Sequence, residues 1–363
     1  MKATFPHMGN THIAIRSLLN DLGHEVVSPP PCSKKTLEIG IRHSPEFVCL
    51  PLKLNLGNFV EALEQGADTI IMAGGWGPCR FGYYAQVERD ILHELGYQFD
   101  MVVLEAPDAQ IKSLVNEVHK IKGEASWKKV IGSVNFAWNK IKAVDEAEAL
   151  MHYWMPRVAN KRQVEGLYKK TLKQVDHSED RRTLEEIRSQ FQMEFASLPV
   201  DAEEEPLKIG LVGEIYTILE PFANYDIELH LGRLGAEVVR SLCLTQWVND
   251  HLLGGVLRVG SCHDVIPYAD PYLSHWVGGH GRETVAYAVK YAQEKIDGVI
   301  QIGPLTCMPE IVAQSILCKV QENEGIPIMS MYFDEHAGEA GIITRLEAFL
   351  DMIRWKKQIR GRS

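Results

Sequence analysis

Two stretches far apart in the chain read alike. LNDLGHEVV, from Leu19 to Val27, and LGRLGAEVV, from Leu231 to Val239, agree at Leu, Leu, Gly, Glu, Val and Val. Each carries a helix-like pattern through a glycine into a β-branched run, as where a helix hands the chain to a strand. The alternation continues around both. In the first half KATFPH, EVVS, TIIMAGG and DMVVLE read as strands, with helical patterns near Ile13 to Leu22 and through RFGYYAQVERDILHEL. In the second, LKIGLVGEIY, AEVVRSL, DGVIQIGP and IPIMSMYF read as strands, with helices near Asn224 to Leu234, from Pro309 and through TRLEAFLDMI. Strands alternating with helices build parallel βαβ units. The expected fold is therefore α/β: two Rossmann- or flavodoxin-like parallel-sheet domains related by internal duplication.

From about Trp138 to Ser197 the pattern changes to charged helical periodicity, as in KRQVEGLYKKTLKQV and RRTLEEIRSQFQMEF, with hardly any Gly or Pro. This reads as a helical insert whose charges form a solvated face, and VDAEEEP after it reads as a linker. The expected division is an N-terminal α/β domain over 1–130, a helical segment over 131–200 and a C-terminal α/β domain over 207–363.

The chain has 363 residues, enough for two domains with sizeable cores, and 45% of them are hydrophobic. A net charge of -10 argues against a nucleic-acid surface. The only basic stretch is WKKQIRGRS, which a solvated helix end accounts for. No apolar run has the length of a membrane span, and MKATFPHMGN lacks a signal-peptide core. A cytoplasmic location is expected, where thiols stay reduced. The seven cysteines are then free, metal-bound or redox-active rather than a disulfide frame.

Six of those cysteines fall at related places in the two halves. Counted from Gly23 and Gly235, they stand at +9, +26 and +56 (Cys32, Cys49, Cys79) and at +8, +27 and +72 (Cys243, Cys262, Cys307). GADTIIMAGGWGPC and KIDGVIQIGPLTC each lead from an acidic residue through a strand and a Gly-Pro turn to a cysteine. In open parallel sheets ligands gather at the carboxyl ends of the strands. Helix N-termini there favour anions and lower a thiol pKa toward the thiolate. Cys79 follows Gly77-Pro78, Cys307 precedes Met308-Pro309, and Cys49, in EFVCLPLKLNLG, follows a β-like run stopped by proline. Three such cysteines can converge on one point between two facing domains.

No C-x-x-C pair marks structural zinc. Iron–sulfur clusters accept thiolates from dispersed loops, and three cysteines on a [4Fe-4S] cube leave one iron open. A single nucleophilic cysteine is the competing reading, and it leaves the other two unexplained. Cys318, in QSILCKV, lies about three helical turns beyond Cys307, too far to share a metal, and is expected in the core.

The segments PEFVCLPLKLNLGNFVEAL, GADTIIMAGGWGPCRFGYYAQ, VGGHGRETV, DGVIQIGPLTCMPEIVAQSIL and DEHAGEAGIITRLEAFLD occur in this order. Together they resemble the CoA-enzyme activase-related proteins of the 2-hydroxyacyl-CoA dehydratase and benzoyl-CoA reductase superfamily. The resemblance implies an oxygen-sensitive iron–sulfur protein of anaerobes, acting in low-potential reduction or dehydration, with Cys49, Cys79 and Cys307 as cluster ligands. It further implies an ATP-dependent reductase or activase partner with its own cluster, in a homodimer or hetero-oligomer. Some members hold two linked cubes; Cys32, Cys243 and Cys262 are then second-tier ligands. The chain departs from the activases in having no G-x-x-x-x-G-K-[ST] loop, so no ATP hydrolysis of its own is expected, and nothing marks a CoA pocket.

Other residues have two readings each. His280, Glu310, Glu335 and His336 are candidates to orient a ligand or move protons, or else they cap helices and satisfy loops. Arg80 screens cluster charge or pairs with Glu88. Tyr83 and Tyr84 are read as packing rather than electron relays, and Glu214 as a family position or a polar strand terminus. His263 and Asp264 flank Cys262 in too short a motif to stand alone. GGHGRET, with Arg282 where a Walker loop has lysine, is a loose phosphate loop or a helix-capping glycine turn. Two alternatives to the cluster enzyme are a non-catalytic cluster carrier or assembly protein and a phosphate- or nucleotide-binding protein with structural cysteines.

Overall fold

The computed structural model describes residues 1–75, 77–104, 111–201, 205–251 and 264–360. The chain divides into two units, Met1–Lys142 and Ala143–Ser363. The first runs β1 (Lys2–Thr4), α1 (Thr11–Asp21), β2 (Glu25–Val26), α2 (Lys34–His43), α3 (Leu50–Glu64), β3 (Thr69–Ala73), α4 (Tyr84–Glu94), β4 (Asp100–Leu104) and α5 (Ile111–Lys122). The long α6 (Trp127–Trp154) begins here and continues past Lys142. All the strands pair in parallel, in the order β2-β1-β3-β4.

That order reverses direction between β1 and β3. At such a switch point the loops leaving the two strands part to opposite faces, opening a crevice at their carboxyl ends. β3 is apolar because its first four residues, Thr69 to Met72, are buried, as suits a parallel strand covered on both faces.

Helix α3 is buried almost all round, from Leu50 to Leu63, even at Lys53, Asn55, Asn58 and Glu61. Two glycines let α2 reach it closely. A Cβ on Gly40 would come within 1.9 Å of the Lys53 carbonyl oxygen, and one on Gly57 within 2.0 Å of that of Thr36. The start of α2 is fixed by a capping box between Ser33 and Thr36, and the Thr36 hydroxyl donates to Glu61 at 2.6 Å. The β-like run before Cys49 is not a strand. It turns at Glu46 and Phe47, where Phe47 takes φ 63°, and Pro51 then sits in the first turn of α3, a position whose missing N–H no helix needs.

The second unit continues from α6 with α7 (Lys161–His177), α8 (Arg181–Ala196), β5 (Leu207–Gly213), α9 (Ile215–Leu219), α10 (Pro221–Asn224), α11 (Ile227–Arg233), β6 (Ala236–Arg240) and α12 (Leu244–His251). It closes with α13 (Gly281–Gln293), β7 (Gly298–Pro304), α14 (Met308–Glu324), β8 (Ile328–Phe333) and α15 (Glu339–Arg360). Its sheet is also all parallel, ordered β6-β5-β7-β8. Both sheets therefore run second, first, third, fourth, and in both the LG-x-EVV stretch enters the second strand. Gly23 and Gly235 end the preceding helices with φ 88° and 83°, a left-handed step that glycine makes without penalty.

The helical segment is not simply a solvated insert. The charges of α7 and α8 are largely on the surface, as in the Lys170–Glu194 pair. In α6, however, Glu148 and His152 turn into the second unit. Arg240 on β6 pairs with Glu148 and, at 3.5 Å, with Glu228, which His152 meets at 3.2 Å. Asp145 accepts from the amides of Leu244 at 3.2 Å and Thr245 at 2.8 Å, at the start of α12. Among the described residues no helix is long and apolar enough to cross a membrane.

Candidate cysteine site

In the first unit Cys79 ends the loop that leaves β3 at the switch point. It caps a 3-10 turn, Arg80–Tyr83, that runs directly into α4. Cys49 caps α3, the helix that carries the chain back to β3, so its N-terminus faces the same carboxyl edge. Both cysteines have extended backbone, and neither sulfur caps its own helix.

Two contacts tie their segments together. Arg80 donates from Nη1 to the Phe47 carbonyl at 3.0 Å, and the Tyr84 hydroxyl lies 2.5 Å from Cys49 Sγ. Beside them is a cavity of about 200 Å³ that Cys49 and Tyr84 share with Arg80, Tyr83 and the apolar side chains of Pro45, Val48, Leu52 and Val87. Tyr84 is thus buried against Cys49, while Tyr83, 71% exposed, lines the same cavity. Glu88, one turn further on, is wholly buried; burial pushes its carboxyl well above the usual range, with Asn55 pulling the other way.

In the second unit Cys307 leaves β7, the strand equivalent to β3. It caps α14 with extended backbone, Pro309 follows in the first turn, and again the sulfur is not used as the cap. Behind it lies a buried polar group. The Glu310 carboxyl accepts from Thr284 Oγ1 at 3.1 Å and from Gln301 Nε2 at 2.9 Å. Gln301 accepts in turn from Ser330 at 2.7 Å, and the Tyr332 hydroxyl donates to the Glu310 carbonyl at 3.0 Å. Burial pushes the Glu310 carboxyl up to about 8, against the Gln301 and Thr284 hydrogen bonds. Burial, then Glu310 and Cys307, push the Tyr332 phenol up as well.

The second-tier cysteines sit differently. Cys32 precedes the α2 cap, donates to Asn58 Oδ1 at 3.4 Å and lies 4.0 Å from His7 Nδ1. Asn58 donates from its amide to the Pro30 carbonyl at 3.0 Å, which turns its oxygen to the sulfur. Cys243 is held near Thr245 at 3.4 Å. Burial pushes its thiol up, and the Asp145 carboxylate adds to this. Cys262 and His263 lie outside the described residues.

The model of one protein family, the CoA enzyme activase uncharacterised domain, matches residues 7–243. The chain belongs to that family. The matched portion begins in the loop after β1, takes in the first sheet beyond that strand and ends at Cys243. It therefore contains Cys32, Cys49 and Cys79, together with Tyr84. No curated protein matches the chain.

The remaining candidates lie outside the family match, apart from Glu214, and most do structural work. Glu214 caps α9, accepting from Tyr216 N at 3.0 Å and Thr217 N at 2.9 Å. His280 caps α13 by its backbone and is buried. It stands where Cys49 stands in the first unit, at the head of the helix that leads into the third strand; glycine-based counting pairs Cys49 with Cys262 instead. Arg282 pairs with Asp270 at 2.6 Å, and Gly281 faces the Pro309 backbone, so GGHGRET packs one helix start on another. Glu335 follows β8 in a turn, half-buried; His336 is exposed, its amide donating to Asp334 at 2.9 Å. Asp264 is exposed. Cys318 is exposed too, not in the core: α14 turns Ala313, Leu317 and Val320 inward and this side chain out.

Proposed function

We propose that the protein is an iron–sulfur protein of the 2-hydroxyacyl-CoA dehydratase type, with the thiolates of Cys49, Cys79 and Cys307 as cluster ligands. One observation carries the reading. These three cysteines share a local geometry, each heading a helical turn with extended backbone and a sulfur not used for capping; Cys32 instead precedes the Ser33 cap of α2, and Cys243, which also heads a helix, turns its sulfur to the Gln246 amide. The donor set fits the group, because α3 and α14 direct their positive ends at Cys49 and Cys307 and so favour thiolate, the form that binds iron.

When bound, the cluster supplies one-electron chemistry at low potential. The chain's own residues hold, orient and shield. Gly77, at φ 93°, lets backbone come close to a bulky group ahead of Cys79. Val48, Leu52 and Val87 place apolar side chains beside Cys49. Glu310 keeps a proton at neutral pH behind Cys307. Three protein ligands on a four-iron cube would leave one iron for substrate, and electrons would come from an ATP-hydrolysing partner with its own cluster.

The test is anaerobic preparation, a count of iron and acid-labile sulfide per chain, and an EPR spectrum of the reduced protein. About four irons per chain supports a single cube. A colourless protein without iron after careful anaerobic handling ends the reading.

A further inference from the structure

Tyr84 opens α4, and its ring is 4% exposed, whereas its neighbour Tyr83 is 71% exposed. The Tyr84 hydroxyl oxygen lies 2.5 Å from Cys49 Sγ, with both side chains buried. The ring is held edge-on to Phe81, with centroids 5.3 Å apart and planes inclined by 62°. Arg80, in the same short segment, is anchored to the Phe47 carbonyl at 3.0 Å. Tyr84 thus meets the Cys49 sulfur from the point where the 3-10 turn headed by Cys79 runs into α4.

On the cluster reading above, we propose that Tyr84 is a positioning residue that donates its hydrogen bond to the Cys49 thiolate and sets the reduction potential of the cluster. In the metal-free thiol either atom can donate. A thiolate bound to iron has no proton, so the phenol becomes the donor. Hydrogen bonds to charged acceptors are the strong ones, and those to cluster sulfurs help set the potential. The bond strengthens as negative charge on sulfur grows, so it stabilises the reduced state more than the oxidised one. Val48, Leu52 and Val87 give the pair largely apolar surroundings, where a hydrogen bond to sulfur is stronger than in water.

Tyr84→Phe removes the O–H and keeps the ring. The expected result is full iron content with a lower midpoint potential in an EPR-monitored redox titration. At a fixed potential the oxidised-to-reduced ratio rises about tenfold, which is ~59 mV for one electron. Transfer of wild-type protein to heavy water is expected to shift the iron–thiolate stretching bands in resonance Raman spectra, and this shift disappears in Tyr84→Phe.

An unaltered potential in an iron-replete Tyr84→Phe protein overturns the role and leaves the cluster reading standing. So does a wild-type spectrum insensitive to heavy water, a measurement that needs no variant to fold. Absence of iron from the wild-type protein overturns the cluster reading and the role of Tyr84 with it.

Discussion

The carbonyl oxygen of Pro309 lies so close to Gly281 that a Cβ on that glycine would come within 2.5 Å of it, and within 2.9 Å of Val277 Cγ2. The first turns of α13 and α14 thus meet backbone to side-chain position, and a backbone carbonyl cannot swing aside as a flexible side chain can. Gly281→Ala is expected to destabilise the protein by about 1–3 kcal/mol, the usual range for overpacking. The check is a lower urea midpoint with unchanged slope. Gly338→Ala, where a Cβ meets open space, serves as the control and is expected to leave the midpoint in place.

The strands were legible because each is a short β-branched or apolar run between turn residues, and the repeated LG-x-EVV carried the duplication with them. Cys79 follows the Gly77-Pro78 bend as read, whereas before Cys307 the Gly303-Pro304 pair ends the strand itself and the turn falls on Leu305 and Thr306; both cysteines still leave a carboxyl edge. Cys49 was misread locally. EFVC has strand composition, but Pro51 suits the first turn of a helix, and the left-handed Phe47 supplies the bend before it. For Cys318 the helix phase was available: Ala313, Leu317 and Val320 follow the inward spacing, and Cys318 falls off it. Which of Tyr83 and Tyr84 turns inward was not readable, because it depends on the 3-10 turn inserted before α4. The partners of Arg240 and Glu310 come from segments far apart in sequence, which no local pattern exposes.

Substitution of the cysteines separates ligands from bystanders. Cys49→Ser, Cys79→Ser and Cys307→Ser are each expected to lose most of their iron during anaerobic purification, because serine is a poor replacement for thiolate. Cys243→Ser and Cys318→Ser are expected to keep it. The first of these residues has its thiol pushed up by burial, and the second is exposed on the outer face of α14. Iron and sulfide counts on the five variants decide the matter. Equal iron in Cys79→Ser and Cys318→Ser would remove the basis for the ligand set.

Arg240 joins α6 to the second sheet through Glu148 and Glu228. Removing one partner of a buried ionic group leaves uncompensated charge, so Arg240→Ala is expected to destabilise by about 3–5 kcal/mol. Glu228 gives the matching pH dependence. Burial raises its carboxyl, but Arg240 and His152 outweigh this and hold it at about 2, below the ordinary 4.5. Its folded state therefore binds protons less readily than the unfolded chain. The stability it contributes is present above 4.5 and is lost as pH falls toward 2. Glu228→Gln is expected to flatten that part of the acid-denaturation profile, measured as urea midpoint against pH. A profile as steep as that of the wild type assigns the acid sensitivity to other groups.

Glu310 carries the opposite sign. With its carboxyl pushed up to about 8 by burial, from an ordinary 4.5, the folded chain keeps a proton that the unfolded chain releases. The contribution is fully present below 4.5, declines as pH rises through the interval and is gone above about 8, a loss on the order of 5 kcal/mol when the whole shift is expressed. Glu310→Gln removes the titration while its amide oxygen still accepts from Thr284. The variant is therefore expected to be less sensitive to alkali than the wild type, with urea midpoints that stay level between about pH 5 and about pH 9 where those of the wild type fall. Because Thr284 and Gln301 enclose the carboxyl and Tyr332 covers the carbonyl of the same residue, the proton has no exposed place to go until the polar group itself opens. Equal slopes for the two proteins across that interval show that Glu310 is ionised in the folded state, and then it holds no proton behind Cys307.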